Sequence, residues 1–224
     1  MTYATLVRHC PQYPAYTHHE FVRRLGDGTL PQAAFRQYLQ QDYLFLLHFT
    51  RAWALALYKS HSLEDMRAAQ AGINAMLDTE IALHIDYCTR WGIAADSLHT
   101  LPEHPATVAY TRYVLDCGHR GTLADLHIAL VPCIIGYADI GRHLAENPAI
   151  PLADNPYREW IEMYASAEYQ AAAQAEAEFL RRLCPEPDAR QQQIFNTATD
   201  MEIAFWQMGL DAADQAATPS TEKS

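Results

Sequence analysis

Three carboxylates and one thiol stand where helical periodicity calls for apolar side chains. Asp42 follows Phe35 by seven residues and Tyr38 by four, and precedes Phe45 by three and Phe49 by seven. One helix face therefore carries aromatics with a carboxylate among them. Glu202 repeats the pattern, seven after Phe195, four after Ala198, three before Phe205 and four before Trp206. Glu80 does so again between Ile73, Leu77, Leu83 and His84, with His84 one helical turn on. A buried carboxylate is costly unless bonded or charge-paired, and one kept protonated can serve as an acid. Spacing alone leaves two readings open for each: a structural group satisfied by an amide or tyrosine, and a pocket group. Three such positions exceed what packing needs, so at least one is expected to serve a pocket.

Cys133 lies in Leu130-Val-Pro-Cys-Ile-Ile-Gly-Tyr137. Pro132 removes a helical hydrogen bond and is expected to kink the helix there. Gly136 and Tyr137 follow on the same face. A lone cysteine on an apolar face is ordinarily a small core residue, but the kink, the glycine and the tyrosine on the same face weaken that reading here. Cys10, Cys88, Cys117 and Cys184 have no such setting. Tyr110, Tyr113, Tyr164 and Tyr169 default to core or surface, and each can offer a hydroxyl to a pocket. Glu80 and His84, with His48 and His127 on other helices, also fit a carboxylate-rich metal site. No histidine follows His143, however, so the last two long helices would supply only carboxylates or tyrosine. The metal reading therefore ranks below the thiol reading.

The elements that position these residues are helical nearly throughout. Period-2 alternation is absent, and glycine sits mostly at joints. Helices are predicted over Thr17–Leu25, Pro31–Ser60, Ser62–Trp91, Ala106–Cys117, Thr122–Glu146, Tyr157–Leu183 and Asp188–Ala213. Gly26-Asp-Gly28, Gly92, Asn147-Pro148 and Pro185-Glu-Pro187 serve as stops. Ser62-Leu-Glu-Asp65 resembles a capping box. Residues 151–156 read as a loop. About seven helices with short joints make one all-α bundle over residues 1–215, with a small polar tail at 216–224 expected to fray.

Of the 224 residues, half are hydrophobic and 19% are charged, with a net charge of −11. That balance argues against a phosphate-backbone binder, and Arg23-Arg24 and Arg181-Arg182 are too short to form a basic face. No nucleic-acid or membrane partner is expected: no apolar run reaches about 18 residues. The start lacks a basic stretch followed by an apolar one. Five scattered cysteines without a C-x-x-C read as a reduced, cytoplasmic set. The P-loop, dinucleotide and nucleophile-elbow motifs are missing.

Six ordered blocks give the sequence a family likeness. They are Gly26-Asp-Gly-Thr-Leu-Pro31 with Phe35, Tyr38-Leu-Gln-Gln-Asp-Tyr43, Glu80-Ile-Ala-Leu-His84, Leu130-Val-Pro-Cys133 with Tyr137, Trp160-Ile-Glu-Met-Tyr164, and Glu202-Ile-Ala-Phe-Trp206. Over about residues 20–209 the chain resembles the TenA family, the thiaminase II enzymes. The resemblance implies a haem-oxygenase-like helical bundle, commonly a homotetramer. It also implies release of an aminopyrimidine by hydrolysis, without metal or organic cofactor. The implied substrates are aminomethyl-pyrimidine breakdown products of thiamin, salvaged to hydroxymethyl-pyrimidine, and thiamin itself. Carried over residue by residue, the nucleophile falls on Cys133, the acid/base glutamate on Glu202 and the pyrimidine-binding aspartate on Asp42. Pocket tyrosines fall on Tyr110, Tyr137 and Tyr164, and Phe45 lies at the ring face. Phe45 stands where members often have tyrosine, and Ile134-Ile135-Gly136 lacks an aromatic residue that members often have after the cysteine. Both departures bear on substrate preference. Cys133 places the chain with the cysteine-bearing group. Two other readings remain, a di-iron oxidase on the same fold and a non-enzymatic regulator.

Overall fold

The structure is a computed structural model that describes residues 2–150 and 152–217. Its described residues form helices and no strand. In chain order these are α1 (Thr2–Arg8), α2 (Tyr13–Thr17), α3 (Glu20–Gly26), α4 (Gln32–Lys59), α5 (Leu63–Ala75), α6 (Ile81–Arg90), α7 (Ala95–Leu98), α8 (Pro105–Arg120), α9 (Leu123–Val131), α10 (Tyr137–Glu146), α11 (Arg158–Ala165), α12 (Ala167–Leu183) and α13 (Ala189–Ala217). The two longest, α4 and α13, lie against each other. α8 packs on both, α5 and α6 on α4, and α9 on α13. Their shared interior is aromatic: Phe21, Phe35, Tyr38, Trp160, Phe205 and Trp206 are all buried.

The architecture is the expected all-α bundle, divided more finely than about seven helices. Two divisions are π-helical turns inside otherwise continuous rods. Met76–Glu80 joins α5 to α6, and Pro132–Gly136 joins α9 to α10. An inserted residue of this kind re-aims the side chains around it, so Pro132 produces a widened turn where a kink was expected. The expected helix over Tyr157–Leu183 breaks at Ser166, which takes an extended backbone and caps α12 through its Oγ, accepting from the Tyr169 N–H at 3.1 Å. Pro31 is the residue before α4 rather than its first residue. Ser62 caps α5, accepting from the Asp65 N–H at 3.0 Å. Gly92 has φ +74°, a left-handed backbone that suits glycine and closes α6.

Helices α1 and α2 were not foreseen. They dock by tyrosine hydroxyls: Tyr3 and Tyr13 share a 2.6 Å bond, and Tyr13 donates to Asp139 at 2.7 Å. Of the expected tail, residues 216 and 217 belong to α13, and 218–224 lie outside the described residues, as does residue 151 of the expected loop. The rod Leu123–Glu146 is long and apolar enough to cross a membrane by length and composition, which no run was expected to be. In the fold, 83% of its apolar window is buried, making it the core helix of the bundle.

Candidate active site

The turn Pro132–Gly136 faces α13, and the site forms between them. Widening the helix frees carbonyls, and two tyrosines take them. Tyr16 of α2 donates to the Pro132 carbonyl at 2.9 Å, and Tyr169 of α12 donates to that of Ile134 at 3.2 Å. Gly136 is required here, because a Cβ at this position would lie 2.6 Å from Cε1 of Tyr16. The turn is thus held from two sides, with Cys133 at its second position. The thiol donates to the Leu130 carbonyl at 3.0 Å and keeps partial exposure. Burial, then the nearby Glu202 charge, push it well above its ordinary range. Cys133 is a protonated thiol at rest.

Glu202 reaches the same space from α13. Its neighbour Tyr110, on α8, donates to Oε1 at 2.7 Å. Burial pushes Glu202 up to about 8, against the lowering effect of that bond, while the Asp42 charge adds to the rise. A carboxyl with this value is protonated at neutral pH and can donate. The Tyr110 hydroxyl also lies beside the Cys133 thiol, so the three polar groups share one space.

Asp42 comes from α4 and is 9% exposed. Burial raises it to about 6, opposed first by the attraction of His84 and then by a hydrogen bond from Tyr38. The Tyr38 hydroxyl in turn accepts from Trp160 Nε1 at 3.2 Å. The remaining walls are aromatic. Phe45 lies 5.0 Å from Tyr110 between ring centroids, and Tyr137 lies 4.9 Å from Tyr164. Burial keeps the hydroxyls of Tyr38, Tyr110, Tyr137 and Tyr164 protonated, so they serve as neutral hydrogen-bond donors.

All seven residues singled out from the sequence, Asp42, Phe45, Tyr110, Cys133, Tyr137, Tyr164 and Glu202, therefore converge from six helical segments. Sequence reasoning missed three others. In the sequence Tyr38 belongs to an apolar stripe, and Tyr169 has no spacing that sets it apart from a core or surface tyrosine. His84 was matched with Glu80, whereas it lies against Asp42 (Nδ1 to Oδ2, 3.5 Å). A hydroxyl or imidazole on a face shared with a carboxylate was the available signal. Tyr113 sits apart, its hydroxyl 3.5 Å from the Ile194 carbonyl.

The four residues offered for a metal do not meet. His127 bonds Glu176 at 2.6 Å in the interior, and His48 lies between Glu103 and Arg112 at 3.0 Å from each. Among the described residues, no three metal-ligating side chains converge.

Residues 8–212 match the TENA/THI-4/PQQC family. An uncharacterized protein of Haemophilus influenzae is 48% identical over 91% of this chain and 95% of its own. The aminopyrimidine aminohydrolase of Halalkalibacterium halodurans is 36% identical over 90% and 91%. Among solved structures, a TenA family transcription regulator from Silicibacter sp. TM1040 is 41% identical, with TM-score 0.86 over 93% of this chain and 96% of that one. A domain with a heme oxygenase-like fold from Shewanella denitrificans, 13% identical, shares the fold at TM-score 0.63 over 99% and 93%. By sequence and by fold, the chain belongs to the TENA/THI-4/PQQC family.

Proposed function

We propose that this protein is an aminopyrimidine aminohydrolase of thiamin salvage. It would convert an aminomethyl-pyrimidine and water into hydroxymethyl-pyrimidine and ammonia, and would accept thiamin as a second substrate. The observation that carries the reading is the Tyr110 hydroxyl donating to a Glu202 that burial keeps protonated at neutral pH, with the Cys133 thiol beside that hydroxyl. That grouping suits addition of a thiol across a ring C=N bond. The name of the Halalkalibacterium halodurans relative supports the same activity.

In this scheme Asp42 accepts the hydrogens of the pyrimidine amino group, while Phe45 and Tyr110 pack on the ring. Cys133 Sγ bonds to ring C6. Glu202 gives its proton to ring N1 and regains one from the thiol through Tyr110. The resulting enamine expels the substrate's protonated amine as neutral ammonia from the exocyclic methylene carbon, leaving a C5=CH2 unit. Water adds at that carbon and gives up one proton to solvent, the C6–S bond breaks, and the proton on N1 returns to the thiolate. Covalent attachment thereby replaces one hard displacement with several easier steps. The reading includes a cytoplasmic location and assembly as a homotetramer, the latter by resemblance to the family.

The di-iron reading loses its geometric basis because its four residues lie apart. A DNA-binding regulator is disfavoured by the net charge of −11. The test is to incubate purified protein with 4-amino-5-aminomethyl-2-methylpyrimidine and, in parallel, with thiamin. Hydroxymethyl-pyrimidine is then followed by chromatography. Product in the first reaction supports the salvage hydrolase, and absence of product from both, with an intact fold, overturns it.

A further inference from the structure

His84 does nothing in the scheme above, yet it touches the pyrimidine-binding carboxylate. It sits on α6, and its ring bridges to α4 by two contacts. Nε2 lies 2.9 Å from the Leu39 carbonyl, and Nδ1 lies 3.5 Å from Oδ2 of Asp42. A carbonyl only accepts, so Nε2 must carry a hydrogen. Nδ1 then meets the carboxyl group with its one remaining position. At 3.5 Å the two groups are within ion-pair distance, where a positive imidazole favours the charged carboxylate. The side chains are 10% and 13% exposed, so water screens this contact poorly.

The other groups that bear on Asp42 sharpen the choice. Tyr38 comes from its own helix, Glu80 and Cys88 from the α5–α6 rod, Cys133 from the turn after α9, Tyr137, Tyr164 and Tyr169 from α10, α11 and α12, and Glu202 from α13. Burial keeps the thiols and hydroxyls neutral, and the two glutamates can only add negative charge. Among the described residues that bear on Asp42, His84 alone can be positive.

We propose that His84 is a positioning residue that carries a proton on Nδ1 and so holds Asp42 in the charged form that accepts the pyrimidine amino hydrogens. Asp42 accepts from two sides, the imidazolium on one and the ligand on the other. The Leu39 carbonyl anchors the ring at Nε2 and leaves Nδ1 as the nitrogen within ion-pair distance of Oδ2. This assignment rests on the aminopyrimidine reading for its link to turnover, but the charge relationship itself does not.

The test uses His84→Gln, whose amide can still reach the Leu39 carbonyl but carries no charge. The Asp42 carboxyl is followed by 13C NMR, with its signal assigned by its loss in Asp42→Asn. Its midpoint, about 6 in the wild type, is expected to rise in His84→Gln. The acidic limb of kcat/KM for the aminomethyl-pyrimidine should rise with it. A rise of one unit costs about fivefold in kcat/KM at pH 6 and little at pH 8. A purely structural histidine would lower thermal stability and leave both midpoints in place, and that result, or a downward shift, overturns the proposal. Should His84→Gln fail to fold, His84→Asn gives the same comparison. If the wild type proves inactive on aminopyrimidines, the functional reading fails, while the carboxyl titration still decides whether His84 sets the charge of Asp42.

Discussion

The Tyr110 hydroxyl donates to Glu202 Oε1 at 2.7 Å, and this contact restrains an acid that burial alone would push higher. Tyr110→Phe keeps the ring that packs on Phe45 and removes only the donor. The Glu202 value, about 8 in the wild type, should then rise. In the proposed reaction Glu202 is the acid, so activity falls as it ionises and the basic limb of the kcat profile should move to higher pH. Steady-state rates between pH 6 and 10 check this, and an unmoved or lowered limb would separate Glu202 from the acid step. Loss of the proton relay should also reduce kcat at its maximum, by about 10²-fold on the scale of general acid–base effects.

Glu202 also makes a stability prediction. Its folded value lies above the ordinary 4.5, so between roughly pH 4.5 and 8 the folded state binds more protons than the unfolded state. Stability contributed by the neutral carboxyl is full below 4.5 and is lost as pH rises through about 8. Glu202→Gln has the same shape and no charge to bury. It should unfold at a higher temperature than the wild type at pH 8, by at least about 2 °C, and the gap should close at pH 5. Melting curves at the two pH values decide, and equal differences at both would argue against a buried, titrating Glu202.

Cys133→Ala separates chemistry from binding. The substitution removes a thiol that donates to one carbonyl within its own helix, so the fold should survive. Turnover is expected to fall about 10³-fold or more, while calorimetric affinity for hydroxymethyl-pyrimidine stays within about threefold of wild type. Near-normal turnover would remove the nucleophile role.

Gly136→Ala addresses the turn itself. The added methyl would press on Tyr16, whose ring is stacked on Trp206 and cannot swing away freely. Overpacking of this kind costs about 1–3 kcal/mol, or a melting-temperature drop on the order of 2–10 °C for a chain of this size. A variant as stable as wild type and fully active would show that the turn tolerates what the distances forbid.

The sequence carried much of the fold and most of the site, for a physical reason. A carboxylate among aromatics at helical spacing is conspicuous because burying it is expensive, which is how Asp42 and Glu202 stand out. Helix ends were legible at Gly92 and Pro31 because backbone conformation is decided by those residues locally. Both π-helical turns were not, since an inserted residue leaves composition unchanged and shows only as a phase shift. Helices α1 and α2 were missed because they are short and held by contacts with residues far along the chain, such as Asp139 and Cys184. The partnership of His84 with Asp42 was hidden for the same reason. Spacing links residues one turn apart, and this pair meets across two helices.

The bond from Tyr16 to the Pro132 carbonyl gives the beginning of the chain an office beyond packing. The turn that carries Cys133 is braced by a residue located well over a hundred positions earlier, in a helix of five residues. Trimming α1 and α2, or loading them with a bulky fusion, should therefore disturb the candidate site from outside it. Slackened bracing would let Cys133 drift from Tyr110 and Glu202 although none of the three side chains had been altered.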